Sequence, residues 1–187
     1  MSEQNAPAQQ SAEDVLAFWL AVGHERWFEP DEAFDAAIRE RFAATYEDAA
    51  AGRLGAWENS PESALALVIV LDQFPRNMFR GSAKSFATDP LARAVATRAI
   101  ERGFDQKIVT PQRSFFYLPF EHSEELADQE CAVELMSATG DADLLKWAEL
   151  HADIIRRFGR FPHRNAMLGR ATTPDEQAFL DDGGFSG

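Results

Sequence analysis

The sequence from residue 60 to residue 71 reads Ser60-Pro61-Glu62-Ser63-Ala64-Leu65-Ala66-Leu67-Val68-Ile69-Val70-Leu71 and decides the fold. Serine followed by proline is a strong helix start, because the serine side chain caps the first turn and proline tolerates the first helical position. Every residue from 64 to 71 is apolar. A helix that is apolar all round its circumference is buried on every side. The sequence therefore predicts one central helix enclosed by others.

Helix signals continue on both sides of this stretch. Apolar residues recur at spacings of three and four, which is the pattern of one helical face. No run of alternating residues bounded by turns predicts a strand. We expect an all-α fold of about eight helices, packed as antiparallel helical hairpins. Helix starts are predicted at Ser11, Asp31, Ser60, Asp89, Thr110, Ser123, Asp141 and Thr173.

The composition fits one folded domain. The chain has 187 residues, of which 45% are hydrophobic and 26% are charged, and this is enough for a single hydrophobic core. Residues 1–11 are polar and lack the apolar region of a signal peptide. No later shift in composition marks a boundary. We expect a flexible tail over residues 1–11 and a single helical domain over residues 12–187.

The charge balance limits the expected partners. Eighteen basic residues against 31 acidic ones give a net charge of -13, and such a surface repels nucleic acid and anionic lipid. The longest apolar run is too short to span a bilayer. We therefore expect a soluble, cytoplasmic protein that binds neither nucleic acid nor membrane. Cys131 is the single cysteine, and its apolar helical setting favours a core residue over a nucleophile.

The first polar cluster follows the apolar helix directly. Asp72 continues the buried face, and a buried carboxylate is costly unless it is paired. Arg76 lies four residues further on and is the nearest candidate partner. Pro75 between them is expected to kink or end the helix. Asp72 and Arg76 are therefore either an ion pair that locks the helix end or two groups that face a ligand.

The second candidate is His122, which lies between a proline-terminated apolar segment and a predicted helix start. The free N–H groups of a helix start suit an anion. A structural histidine that bridges two helix ends explains the pattern equally well. His122 and Glu125 alone do not make a metal site, which needs more ligands at defined spacing. We expect no metal and no cofactor.

The third cluster is the strongest. His151 shares a helical stripe with apolar residues and is expected to face the interior. Between Ile154 and Pro174 the sequence holds five arginines and one histidine, without a single acid. Arginine suits carboxylate or phosphate, and these arginines bind either an anionic ligand or the chain's own acids. The candidate ligand-binding residues here are Arg160, Arg164 and Asn165, with His163 beside them.

Several further pieces of sequence join these clusters in one recognisable pattern. They are Val15-Leu16-Ala17-Phe18-Trp19, Trp27-Phe28, the helix over 34–42, Leu71–Asn77, Tyr117-Leu118-Pro119, His122-Ser123-Glu124, Arg157–Asn165 and Leu168-Gly169-Arg170. With them the chain resembles the bacterial family catalogued as domain of unknown function 924. The resemblance implies an all-helical, tetratricopeptide-like superhelical fold, and it implies no reaction. Glu121 stands where the family pattern usually has methionine, so it is not expected to be a shared catalytic residue.

Three functional hypotheses follow. In the first, the clusters converge on one site that binds a small anionic ligand, with or without transforming it. In the second, the chain is a non-catalytic helical-repeat scaffold that binds a peptide or protein in its concave face. In the third, the clusters form a polar core that fixes helix ends. Whether the protein is an enzyme stays open. The first hypothesis takes His122, His151, His163 and Asp72 as candidate catalytic residues, and Arg76, Arg160, Arg164 and Asn165 as ligand-binding residues.

Overall fold

The computed structural model describes residues 9–27 and 29–186. Over these residues the chain forms eight α-helices joined by 3-10 helices and turns, and no β-strand. The expected all-α fold of about eight helices is therefore confirmed. The helices are α1 (Ala12–Ala21), α2 (Glu32–Ala50), α3 (Pro61–Met78), α4 (Asp89–Glu101), α5 (Leu118–Glu121), α6 (Leu126–Ser137), α7 (Ala142–Phe158) and α8 (Pro174–Asp181). Most of the predicted tail and Phe28 lie outside the described residues.

Contacts between Cα atoms divide the chain into two compact units. Unit 1 comprises Met1–Arg80 and Lys84–Pro119, and unit 2 comprises Gly81–Ala83 and Phe120–Gly187. Unit 1 contains α1 to α4, and unit 2 contains α6 to α8. Helices that follow one another in the chain pack together, as α2 does with α3 and α6 with α7. The single domain and the tetratricopeptide-like array stay predictions. Within the described part of the chain, no helix combines the length and apolarity that crossing a membrane requires.

Side-chain caps begin most of the long helices where the sequence predicts them. The side chains of Ser11, Asp31, Ser60, Asp141 and Thr173 each accept a hydrogen bond from a backbone N–H in the first turn of their helix. These starts are predictable because the cap and the amide that it binds lie within three residues of each other. These five predicted caps are confirmed, whereas Asp89 is the first residue of α4 rather than its cap, because Thr88 is the N-cap.

Two other predicted helix starts are wrong in detail. Ser123 does not cap α6, whose N-cap is Glu125. Instead, its hydroxyl accepts from the Glu125 backbone N–H and donates to the Asp128 carboxylate, 2.6 Å away. The segment that follows Thr110 forms a 3-10 helix over Gln112–Phe116 rather than an α-helix. Short apolar segments between prolines lack the length that α-helices need.

Helix α3 is the central helix of unit 1, as the sequence predicts. Every residue from 64 to 75 is buried. The helix does not end at Pro75 but continues to Met78. A proline inside a helix leaves the carbonyl four residues earlier without its usual N–H donor. Here that carbonyl, on Leu71, accepts a hydrogen bond from the Thr88 hydroxyl, so the polar group is satisfied inside the core.

The core of unit 2 forms where α7 ends. Gly159 follows the helix with a φ of 67°, which is the left-handed conformation that favours glycine. The chain then reverses, and Phe161 enters the core beside Ile154 and Ile155. The arginine-rich turn, which we define as residues 156–170, is therefore anchored in apolar packing. His151 lies on the buried face of α7, as predicted.

Candidate functional site

The predicted pair of Asp72 and Arg76 exists in unit 1, and Asp89 extends it. Arg76 Nη1 lies 3.3 Å from Asp72 Oδ1, and the two Nη atoms of Arg76 donate to the Asp89 carboxylate at 2.9 and 3.0 Å. Asp72 is completely buried. Burial alone lowers the pKa of Arg76, but the two carboxylates raise it above its ordinary value. The guanidinium is therefore held between two acids of its own chain, which favours the ion-pair interpretation of this cluster.

A second ion pair in unit 1, between the buried Asp35 and the exposed Arg80, was missed by the sequence analysis. The Asp35 carboxylate accepts from Asn77 Nδ2 at 2.7 Å, from Arg80 Nε at 2.8 Å and from Arg80 Nη2 at 3.0 Å. Asp35 is only 4% exposed. A signal was available, because Asp35 lies three residues before the buried Ile38 and so shares its helical face.

The arginine-rich turn of unit 2 is held by two bidentate ion pairs. Arg160 donates to Glu176 through Nε at 2.5 Å and through Nη2 at 2.8 Å. Arg170 donates to Glu124 through Nη1 at 2.7 Å and through Nη2 at 3.0 Å. The hydrogen bonds from Arg160 are the main cause that lowers the pKa of Glu176 to about 2. The sequence leaves open whether these arginines bind an anionic ligand or the chain's own acids. Arg160 binds an acid of its own chain, Glu176.

Asn165 joins these two ion pairs. It is completely buried, its Nδ2 lies 3.2 Å from Glu176 Oε2, and its Oδ1 accepts from Arg170 Nε at 3.0 Å. Its amide is therefore used within the turn, and a role in ligand binding stays a prediction. Glu176 has a local sequence signal, because Thr173 and Glu176 form a capping box at the start of α8. Glu124 has none.

Three side chains of unit 2 pack around the Phe161 ring, namely those of His151, His163 and Arg164. With His122, whose carbonyl binds Arg164, they form what we call the histidine cluster. The ring of Phe161 is completely buried. The His151 and His163 rings each lie 5.6 Å from it, centroid to centroid. The Arg164 guanidinium carbon lies 4.4 Å from the Phe161 centroid. The Arg164 Nη1 donates to the backbone carbonyl of His122 at 2.9 Å.

The hydrogen bonds of His151 indicate its tautomer. Its Nδ1 lies 2.8 Å from the Trp147 carbonyl oxygen and 3.1 Å from Glu121 Oε1. Both neighbours are acceptors, so Nδ1 carries the proton and Nε2 keeps its lone pair. Burial lowers the pKa of His151 to about 4, with smaller contributions from the charges of His122 and Arg164. At neutral pH, His151 is therefore an uncharged imidazole whose Nδ1–H donates to the Trp147 carbonyl, with Glu121 Oε1 beside it.

His163 is the second uncharged imidazole of the cluster. Burial lowers its pKa to about 3, and the charges of Arg164, His151 and His122 add to this effect. Its Nδ1 is buried and has no hydrogen-bond partner among the described residues. A buried nitrogen without a partner carries a desolvation cost, and such atoms are rare in folded proteins. The cluster therefore contains a polar atom that the fold itself does not use.

The structure brings together only some of the predicted site residues. His122, His151, His163 and Arg164 meet in unit 2, whereas Asp72 and Arg76 belong to unit 1. That all of them converge on one site stays a prediction. Among the residues that the structure describes, no three His, Cys, Asp or Glu side chains are grouped so that they hold a metal ion.

Comparison with known proteins places these motifs in a family. The family described as "Bacterial protein of unknown function (DUF924)" matches residues 15–184. The chain belongs to the DUF924 family. It is similar to the solved structure titled "Structure of Protein of Unknown Function ATU0120 from Agrobacterium tumefaciens", with 48% identity and a TM-score of 0.89. That match covers 91% of this chain and 97% of the other. A search of curated proteins found no match.

One further residue of this DUF924 chain completes the cluster and was missed by the sequence analysis. The Phe185 ring lies 4.5 Å from the His151 ring and 5.2 Å from the His163 ring, centroid to centroid, at angles of 67° and 82°. Phe185 comes more than twenty residues after His163 in the chain, and no spacing rule links the two. The only local signal is Gly183-Gly184, which predicts a turn but not where the next side chain goes.

Proposed function

We propose that unit 2 binds a small organic anion at the histidine cluster. The observation that carries the proposal is that a buried arginine, the buried imidazole of His151 and the half-buried imidazole of His163, both uncharged, surround one phenylalanine ring. Arg164 is 6% exposed, and arginine keeps its charge at every physiological pH. A buried guanidinium with imidazole nitrogens beside it suits a carboxylate or phosphate of a small molecule.

Arg164 already acts on an acid of the chain. Burial raises the pKa of Glu124, but hydrogen bonds from Arg170 and from the Phe161 N–H, with the charges of Arg170 and Arg164, lower it overall. The Arg164 guanidinium therefore lies where its charge stabilises a carboxylate, as the proposed ligand requires.

The pKa values of the two histidines favour binding over proton transfer. General acid–base catalysis is most efficient when the pKa of the group lies near the working pH. The pKa values of His151 and His163, about 4 and about 3, lie well below neutrality. Both imidazoles are then weak bases that accept or donate hydrogen bonds without changing charge. We therefore assign them to ligand recognition.

The alternative of a purely structural polar core has an observation in its favour, namely the internal ion pairs of Arg76, Arg160 and Arg170. It accounts for those arginines, and it does not account for the buried Nδ1 of His163. The peptide-binding scaffold on a tetratricopeptide-like array stays a prediction.

Thermal melts with sulfate and chloride at equal ionic strength test the proposal. Wild type is expected to gain more stability from sulfate than Arg164→Met, because linkage gives about 2.7 kcal/mol at a hundredfold excess of ligand over Kd. Arg157→Met, which removes an exposed arginine of the same unit, is the matched control and should behave as wild type. The general stabilisation by sulfate is common to all three proteins and cancels. Equal sulfate gains in all three proteins would contradict the anion site, and the polar core and the peptide-binding scaffold would be left.

A further inference from the structure

We propose that Gln129 is a positioning residue of the histidine cluster, because its side-chain amide holds the turn whose His122 carbonyl binds Arg164. This turn comprises residues 120–124, and we call it the His122 turn. Gln129 lies in α6 and is completely buried. The inference rests on the proposed function, since the anion site is what this positioning serves.

The Gln129 amide binds the two carbonyls that flank His122. Its Nε2 donates to the carbonyl oxygens of Glu121 and Ser123, 2.6 Å away in each case. An amide nitrogen has two hydrogens to donate, and these two short bonds use both. The carbonyl between them, that of His122, accepts from Arg164 Nη1 at 2.9 Å. Because peptide units are planar, holding the two flanking carbonyls limits where the middle one can point.

The His122 turn carries further contacts of the cluster. Glu121 Oε1 lies 3.1 Å from His151 Nδ1. At the other end of the turn, Glu124 Oε1 accepts from the Phe161 backbone N–H at 2.8 Å. A displacement of the turn would therefore change the surroundings of Arg164, His151 and Phe161 together. One residue outside the turn, held in a helix, is enough to fix all three contacts.

The two ends of the Gln129 amide differ in how the fold uses them. Beyond its two short bonds, Nε2 lies 3.5 Å from the Phe120 carbonyl oxygen. Oε1 is buried and has no hydrogen-bond partner among the described residues. A buried carbonyl without a donor is unfavourable, and an apolar side chain of the same length would avoid that cost. The amide therefore contributes through the donors that it supplies to the His122 turn.

A double-mutant cycle tests whether Gln129 acts on Arg164. Gln129→Met keeps the length of the side chain and removes both donors. Gln129→Asn, which withdraws the amide by one methylene, replaces it if the methionine variant does not fold. We expect the Gln129 substitution to lower the urea midpoint less than half as much in Arg164→Met as in wild type, because part of its effect is the loss of the Arg164 acceptor. In Arg157→Met, which removes an exposed arginine, the full loss should remain.

A sulfate measurement separates positioning from a purely structural role. In melts with sulfate and chloride at equal ionic strength, Gln129→Met should lose more than half of the sulfate-specific gain in Tm that wild type shows. Gln177→Met is the matched control, since Gln177 is exposed on α8 of the same unit and donates to Asp181 at 2.8 Å. It should keep the full gain.

The possible outcomes decide between these roles. If the losses of urea midpoint for Gln129 and Arg164 simply add, Gln129 does not position Arg164 and the inference is overturned. If the losses are coupled but Gln129→Met keeps the full sulfate gain, Gln129 is only structural and the inference is again overturned. If the losses are coupled and wild type itself shows no sulfate-specific gain, the proposed anion function is wrong while the positioning of Arg164 by Gln129 stands.

Discussion

The hydroxyl of Thr88 donates a hydrogen bond to the carbonyl oxygen of Leu71, 2.6 Å away in the core of unit 1. In an uninterrupted helix, that carbonyl accepts from the backbone N–H four residues later, and here that residue is Pro75. The same Thr88 hydroxyl is also a hydrogen-bond partner of Tyr46. A side chain from outside α3 thus supplies the donor that its proline removes, and the helix continues to Met78.

We expect Thr88→Val to lower the free energy of unfolding by about 1–3 kcal/mol, because it leaves a buried carbonyl without a donor. Urea unfolding measures the change. Thr97→Val is the matched control, since the Thr97 hydroxyl donates to the Arg93 carbonyl inside α4, which has its helical donor as well. Pro75→Ala restores an N–H to α3. It should therefore cost less, or stabilise more, in the Thr88→Val protein than in wild type, and equal effects in both would contradict the assignment.

Asp72→Ala is expected to lower the free energy of unfolding by roughly 2 kcal/mol or more, because Asp72 is completely buried beside Arg76. Asp89 stays bound to Arg76 in this variant and limits the loss. Asp153→Ala removes the acid of an exposed i,i+3 pair with Arg156 and should change stability by no more than about 0.5 kcal/mol. An unchanged urea midpoint for Asp72→Ala would show that its carboxylate is replaceable.

How far the sequence predicts the structure depends on how far apart the partners are in the chain. The cap at Ser60 and the pair of Asp72 and Arg76 are predictable, because each joins residues within four positions on one helix. Asp89 and Thr88 are not, since they reach α3 from another element. The rule that proline ends a helix considers only neighbouring residues. Here the hydroxyl of Thr88, from another element, supplies the missing donor, and the helix continues.

In the candidate site, too, contacts between residues that are close in the sequence are predictable and contacts between distant residues are not. The stripe on α7 predicts that His151 is buried, and the glycine and aromatic residues of the arginine-rich turn predict a packed structure there. Which arginines the turn uses internally depends on Glu124 and Glu176, which lie outside it in the sequence. Phe185 carries no pattern that links it to a histidine. Tertiary contacts, rather than propensities, select the residues that remain available for a ligand.

The histidine cluster predicts a dependence of stability on pH. An unfolded histidine titrates near pH 6.5, whereas His151 and His163 titrate at about 4 and about 3 in the folded state. Between these values the unfolded chain binds more protons, so the free energy of unfolding falls as the pH falls from about 6.5. The stabilisation is fully present above that pH. Each histidine changes it by at most about 1.4 kcal/mol per pH unit.

Urea unfolding at pH 7.5, 6.5 and 5.5 measures this slope. The range stays above the pH at which an ordinary glutamate begins to take up protons, so Glu124 and Glu176, whose pKa values are lowered, contribute little. The double variant His151→Gln with His163→Gln should show a clearly shallower slope than wild type. An equal slope in both proteins would mean that the two imidazoles take up protons as readily in the folded state as in the unfolded chain.

Arg164 connects the stability of unit 2 with the titration of its histidines. It is buried, stacks on Phe161 and donates to the His122 carbonyl, so Arg164→Met should destabilise the protein by about 1–3 kcal/mol. Its charge also lowers the pKa of both His151 and His163. Removing the guanidinium should therefore raise both pKa values toward 6.5, although burial, the larger cause, keeps them below it. NMR titration of the imidazole C–H signals measures this directly, with Arg157→Met as the exposed control. If the two histidines titrate in Arg164→Met as they do in wild type, then Arg164 is too far from their rings to hold an anion against them, and the proposed site loses its cation.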